Sequence, residues 1–302
     1  MKFLAIACFF TVLAGVAFSL TLPAPKKKIE FKNGQSYANC GRVPAACERS
    51  GKDAVRGCHP WHAKVTRSGR KSTCDGTLIS KRAIITRAQC LFNVLDLFSP
   101  SDIQVTLGAF NISDPNESTR QTVRAKALIP HPNREDFCII CFENDIGIII
   151  LEENALTLNE HVSPICLWDA EFNPRTFANT VGEAAAWDPK GKLVRNALEV
   201  VAYDGQCYQK YNNAVKPLTS FCFQHVRTTD TACTIETGAG FVVKKDGRSY
   251  LRGLLDIFEN EPLIVKGKDR GFCSSVVKNY IAEDLADYMD WIINNVPDVS
   301  RK

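Results

Sequence analysis

The chain has 302 residues and a formal net charge of +4, with 45% hydrophobic and 23% charged residues. That balance suits one large or two small globular domains and excludes a disordered tail or a repeat array. The charge is too mild for a nucleic-acid binder, which needs Lys and Arg clustered on one face. The 13 cysteines are too many for a reducing cytosol.

Lys2 precedes an apolar run from Phe3 to Phe18, with small residues at Ala17 and Ser19. This is the layout of a secretory signal peptide, with cleavage expected near Ser19. The run is shorter than the roughly 20 residues that a membrane span needs. Residues 1–19 are therefore read as a leader and the mature protein as secreted and extracellular. Removing them takes Lys2 and Cys8 from totals of +4 and 13, leaving +3 and an even twelve cysteines. Residues 20–47 form a polar arm with Pro23, Pro25 and a Lys26–Lys28 run, read as solvated rather than as a binding patch. Residues 48–302 form the main domain.

Short apolar runs separated by turn residues fill that domain. Ile103, Val105, Leu107 and Ala109 alternate with other residues as in a half-buried strand. Ile146–Leu151, Leu198–Tyr203 and Ser249–Phe258 are further strand candidates. Their spacing suggests a sandwich or barrel. At the end, Ile281, Leu285, Tyr288 and Ile292 share a helical face, with Glu283 and Asp284 at its start, where the helix dipole favours acids. Two sequons, at Asn111 and Asn116, lie in a polar stretch and are candidate glycan sites.

Several strings stand in order along this domain. Ala54-x-x-Gly57-x-x-Pro60-Trp61 precedes Cys74-Asp75-Gly76-Thr77-Leu78-Ile79 and Ile84-Ile85-Thr86-Arg87-Ala88-Gln89-Cys90. Asn144-Asp145-Ile146-Gly147 and Ser163-Pro164-Ile165-Cys166-Leu167 follow. Cys233-Thr234-Ile235-Glu236-Thr237-Gly238, Gly253-Leu254-Leu255 and Tyr288-Met289-Asp290-Trp291-Ile292 complete the series. Over roughly residues 48–296 they resemble the chymotrypsin-like (trypsin-like) serine protease family. In finer detail the chain is similar to arthropod serine protease homologues that have lost catalytic residues. The resemblance implies an all-β fold of two six-stranded antiparallel β-barrels with a C-terminal α-helix and a cleft between the barrels.

Hydrolysis in that family needs a histidine base, an aspartate that orients it and a serine nucleophile. The resemblance puts Gln89, Asp145 and Thr237 at those positions. A neutral amide cannot store a proton near neutral pH, so Gln89 cannot be the base. Asp145 is expected to be structural, with its carboxylate accepting a hydrogen bond from the Gln89 side-chain amide. A threonine nucleophile still needs a base, and the β-methyl of Thr237 crowds a tight turn. Ile235 stands for a glycine of the oxyanion hole, where a β-branched residue resists glycine's conformations. His59, His62, His131, His161 and His225 stand elsewhere and are not spaced as a zinc motif, so no metal or other cofactor is expected.

Family zymogens are cut after a basic residue just before Ile-Val-Gly-Gly. Those positions hold Glu48-Arg49-Ser50-Gly51, with Cys47 in the basic place. A freed glutamate has no reason to enter an apolar pocket beside Glu236, so the usual activation switch is not expected. Arg42 and Arg49 remain open to nicking for other purposes. The specificity pocket maps to Thr231 at its base, with Asp256, Ile257 and Phe258 in its wall, where the Phe258 ring fills space that a glycine leaves open. By resemblance, Cys74 pairs with Cys90, Cys207 with Cys222, Cys233 with Cys273, and Cys40 with Cys166. Cys47, Cys58, Cys138 and Cys141 allow three connectivities, of which Cys47–Cys58 with Cys138–Cys141 is preferred.

The functional reading is a catalytically inactive homologue. The resemblance implies a regulator or cofactor of an extracellular, melanisation-type protease cascade. Its partners would be proteases or their zymogens, or prophenoloxidase. The alternative is a module that binds microbial or tissue surfaces with no cascade role. A residual enzyme using Thr237 is the third reading.

Overall fold

In the computed structural model the described residues are 29–31, 40–48, 56–69, 73–93, 96–134, 143–168, 179–188, 190–201, 220–226, 237–256 and 280–301. Strands dominate them. The first ten are β1 (Ile29–Phe31), β2 (His62–Arg67), β3 (Cys74–Leu78), β4 (Ala83–Thr86), β5 (Phe92–Asn93), β6 (Asp96–Leu97), β7 (Ile103–Leu107), β8 (Gln121–Pro130), β9 (Gly147–Leu151) and β10 (Cys166–Leu167). The rest are β11 (Val181–Trp187), β12 (Leu193–Val200), β13 (Ser220–His225), β14 (Gly240–Lys245), β15 (Arg248–Asp256), β16 (Tyr280–Asp284) and β17 (Val299–Arg301). One helix, α1, spans Met289–Asn295.

Strands β2, β3, β4, β9, β8 and β7 close the first barrel in that order. Its core is aliphatic. Ala63 and Val65 alternate inward from β2, Ile84 and Ile85 come from β4, and Ile148 and Ile149 come from β9, all fully buried. β9 is buried along its whole length, as its unbroken apolar run requires. β8 differs, with Thr122, Arg124 and Lys126 facing solvent and a register shift between Ala125 and Ala127.

Strands β11, β12, β13, β16, β15 and β14 close the second barrel, with β10 added in parallel beside β15. Phe221, Phe223 and Phe241 pack as an aromatic cluster with ring centroids 5.5–6.4 Å apart. Ala184, Ala186 and Ala239 face the same core. Small residues beside large rings let the layers interdigitate at the density of a protein interior. These are the two antiparallel six-stranded barrels that the motifs imply.

The strand readings shift only at their ends. The Leu198–Tyr203 run belongs to a longer β12 that begins at Leu193, and the Ser249–Phe258 run is β15 from Arg248. Tyr203, Ile257 and Phe258 lie outside the described residues. The C-terminal helix needs a larger correction. Ile281–Asp284 is not helical but forms β16, paired with both β13 and β15. Closing the barrel outweighs the helical periodicity there. Asp284 then caps a 3-10 turn over Leu285–Tyr288 by accepting the Ala286 N–H at 2.9 Å, and α1 follows as two turns. Glu283 points inward instead of toward a helix start, and is 1% exposed.

Disulfides join Cys40 to Cys166, Cys47 to Cys58 and Cys74 to Cys90. Cys222 is also disulfide-bonded. Cys138, Cys141, Cys207, Cys233 and Cys273 lie outside the described residues. Gly41 donates its N–H to the Pro164 carbonyl and accepts the Ser249 N–H, which holds it beside β15 of the second barrel, while β1 pairs with β17 in a separate two-stranded sheet. No helix among the described residues is long and apolar enough to cross a membrane.

Candidate functional site

The seam between the barrels gathers the residues singled out by the motifs. β4 ends at Thr86, and a 3-10 turn over Ala88–Leu91 carries Gln89. Cys90 in that turn is bonded to Cys74 of β3. Asp145 lies just before β9 and is 4% exposed. Its main-chain carbonyl accepts the Ala88 N–H at 3.2 Å, so the turn and the aspartate are held together twice. Thr237 enters from the second barrel, where its carbonyl accepts the Asp75 N–H at 2.9 Å. Gly238 follows at φ +93°, and a Cβ there would fall 2.3 Å from the Asp75 oxygen and 2.4 Å from Thr86 Oγ1. Only glycine lets the second barrel approach the first this closely.

The expected side-chain bond from Gln89 to Asp145 is not formed. Gln89 is exposed, and its backbone N–H, not its amide group, donates to Asp145 Oδ1 at 2.7 Å. Arg87 takes the other oxygen, with Nε donating to Oδ2 at 2.9 Å. Arg134 Nε stands 3.7 Å from Oδ1. The physical reason is charge. A guanidinium is a stronger donor to a buried carboxylate than a neutral amide, and it matches the carboxylate's net charge.

Arg87 is fully buried and continues into the second barrel, where Nη1 lies 3.4 Å from Glu283 Oε2. The Tyr288 hydroxyl donates to Glu283 Oε1 and accepts the Asn144 N–H at 3.1 Å. Burial pushes the Glu283 carboxyl up to about 7, against the opposing pull of Arg87 and Tyr288. Burial and then Glu283 push the Tyr288 phenol up. Reading the sequence missed this network. Its signal was present: Arg87 stands two residues after the apolar Ile84-Ile85 pair, where the family string has alanine.

A second polar cluster lies behind β2 and β3. Asp75 is fully buried, with Lys64 Nζ at 3.3 Å from Oδ1 and His62 Nε2 at 3.5 Å from Oδ2. The His62 ring packs on Trp187 of β11 at 4.5 Å between centroids, and Lys64 Nζ sits 5.2 Å from that indole. His59 Nδ1 faces Glu183 at 4.0 Å. Burial holds both imidazoles below their ordinary value, well below for His62, where His59 and Lys64 add to the effect. Among the described residues no group of three or more His, Cys, Asp or Glu side chains is placed to hold a metal ion.

A family model for trypsin matches residues 48–261. The chain belongs to the trypsin family. Mannan-binding lectin serine protease 1 of Rattus norvegicus is 27% identical over 227 residues, covering 68% of this chain and 31% of that protein. Serine protease filzig of Drosophila melanogaster is 27% identical over 259 residues, covering 78% of this chain and 14% of its own length. CLIP domain-containing serine protease B15 of Anopheles gambiae is 25% identical over 297 residues, covering 90% and 77%. The chain thus spans less than a third of the first two relatives. Within this trypsin-family chain, Asp256 ends β15, while Thr231, Ile235, Glu236 and Phe258 lie outside the described residues. Asn111 lies in a bridge to Lys192, and Asn116 is exposed on a turn.

Proposed function

We propose that this chain is a secreted, non-catalytic member of the trypsin family that acts as a regulator or cofactor of an extracellular protease cascade of the innate-immune, melanisation type. The observation that carries the reading is the state of Asp145. Its two oxygens accept a backbone N–H and a buried guanidinium, while the neighbouring Gln89 side chain is exposed. A base that can exchange a proton near neutral pH is absent from position 89, and Thr237 has no imidazole there to activate it. The two packed barrels and their disulfides give a rigid scaffold that can bind without chemistry, because function resides in sites on a fold. Relatives named for mannan-binding lectin and for the CLIP domain support a cascade setting.

In this reading residues 1–19 direct secretion, 20–47 are an arm and 48–302 are the pseudoprotease. The former cleft, with Thr231, Asp256 and Phe258 at its pocket, docks an active protease, its zymogen or prophenoloxidase. Affinity capture of the tagged full chain from native extracellular fluid, with and without microbial challenge, tests it. Enrichment of cascade proteases or zymogens is the expected result. Recovery of microbial or tissue-surface components alone overturns it in favour of a surface-binding module. The inactivity has its own test. Gln89→His with Thr237→Ser should still turn over peptide substrates poorly, because Arg87, Ile235 and Phe258 remain, and robust turnover would contradict it.

A further inference from the structure

We propose that Arg87 is a built-in counter-cation of Asp145, an autoinhibitory contact that keeps this carboxylate from orienting an imidazole at position 89. The inference deepens the non-catalytic reading and rests on it. In a working site the carboxylate holds the ring N–H of the base and stabilises the imidazolium that forms during turnover. That benefit exists only if the positive charge appears when the base is protonated. A guanidinium does not deprotonate in proteins, so Arg87 compensates Asp145 at all times. An imidazolium forming beside it finds its carboxylate already neutralised and a like charge nearby.

The contact is also closed on itself. Arg87 donates to Asp145 and reaches Glu283, Glu283 accepts from Tyr288, and Tyr288 accepts from the backbone of Asn144, which adjoins Asp145. The ring of contacts runs from the end of β4 through β16 and back to the residues before β9, so it spans both barrels. Arg87 has no route to solvent, being fully buried. Swinging it aside would leave Asp145 with Arg134 as its one remaining nearby guanidinium and the buried Glu283 carboxyl with Tyr288 in place of a cation, an unfavourable arrangement. Position 89 stays outside this ring, since only its main chain takes part. Gln89 is therefore one of two locks on the base position, and replacing it alone does not release the other.

The test is the proton affinity of a histidine placed at position 89, read by NMR titration. Position 89 is exposed, so Gln89→His is compatible with the fold. The parent has five histidines, so the sixth resonance belongs to the new residue. In Gln89→His it should titrate at or below the ordinary value of about 6.5, with no low-field ring N–H. Adding Arg87→Ala and Glu283→Gln together removes that cation along with one of its acids and releases Oδ2 of Asp145 to the imidazole, while Arg134 keeps its place 3.7 Å from Oδ1 in every variant. The new histidine should then rise by at least about one pKa unit, as expected for a carboxylate within about 4–6 Å. If the triple variant does not fold, Gln89→His with Arg87→Lys keeps a buried cation that cannot fork between both acids, and a partial rise is expected. A raised pKa with a low-field N–H in Gln89→His alone, or no rise after Arg87 is replaced, overturns the proposal. Partner capture plays no part in this readout, so the cascade role and the Arg87 contact can fail independently.

Discussion

Glu283→Gln replaces the most deeply buried acid of the Arg87 network with a neutral side chain of the same shape. Glu283 is 1% exposed, and burial raises its carboxyl from 4.5 to about 7. A raised folded-state value means that the folded protein holds this proton more tightly than the unfolded chain. Its stabilising contribution is therefore complete below about pH 4.5 and is lost as pH rises through about 7. The rise from 4.5 to about 7 corresponds, at about 1.4 kcal/mol per unit, to a swing on the order of 3 kcal/mol. Glutamine keeps one carbonyl oxygen to accept from Arg87 and presents its amide N–H to the Tyr288 oxygen, as the protonated carboxyl does with its O–H, and it has no such proton to lose. Urea unfolding of parent and variant across about pH 4.5 to 8.5 measures the difference. The two should be similar at the acid end, and the variant should gain about 3 kcal/mol relative to the parent at the alkaline end. Parallel curves would refute the burial argument. Divergence of the opposite sign would mean that Arg87 outweighs burial and holds Glu283 ionised.

Gly238→Ala should cost about 2–4 kcal/mol in thermal or urea unfolding, because it combines a left-handed backbone with a Cβ driven into the Asp75 carbonyl; a loss within experimental error would show that the seam is looser than described. His62→Gln should move the acid unfolding midpoint to lower pH. A folded imidazole held below its ordinary value stabilises above about pH 6.5, and that contribution is lost as pH falls. An unchanged acid limb would remove His62 from the account. Limited cleavage after Arg49, Lys52 or Arg56 should yield fragments that separate on reducing gels only, since Cys40–Cys166 and Cys47–Cys58 both bridge the cut. Separation without reductant would contradict that connectivity.

Local features of the fold were legible in the sequence because their causes are local. Alternation marked β7, and an unbroken apolar run marked the fully buried β9. The ordered strings pointed to two barrels, and two barrels are found. The stretch from Ile281 misled because a helical spacing and a barrel-closing strand are compatible with the same residues, and pairing with β13 and β15 decides between them. The site was harder to read. Gln89 and Asp145 were correctly brought together, but the donor was misassigned. The Arg87 contacts to Asp145 and Glu283 span 58 and 196 residues, so no neighbouring pattern encodes them. Lys64, Asp75 and His62 show the same limit, since a buried charge cluster across two strands and an indole has no periodic signature.

The bond between Cys40 and Cys166 encloses the first barrel in a single covalent ring. Its ends are 126 residues apart, and every strand from β2 to β9 lies between them. Both ends sit against the second barrel, Gly41 beside Ser249 and Cys166 beside Tyr250. By the chain-entropy account, closing a loop of that length limits the unfolded chain by the equivalent of about 5 kcal/mol. The first barrel can then lose its own structure without drifting from the surface on which it reforms. Two units joined by a single linker already meet at an effective concentration set by its length; the second tether through Cys40 holds both ends of the opened barrel beside its partner and raises that concentration further.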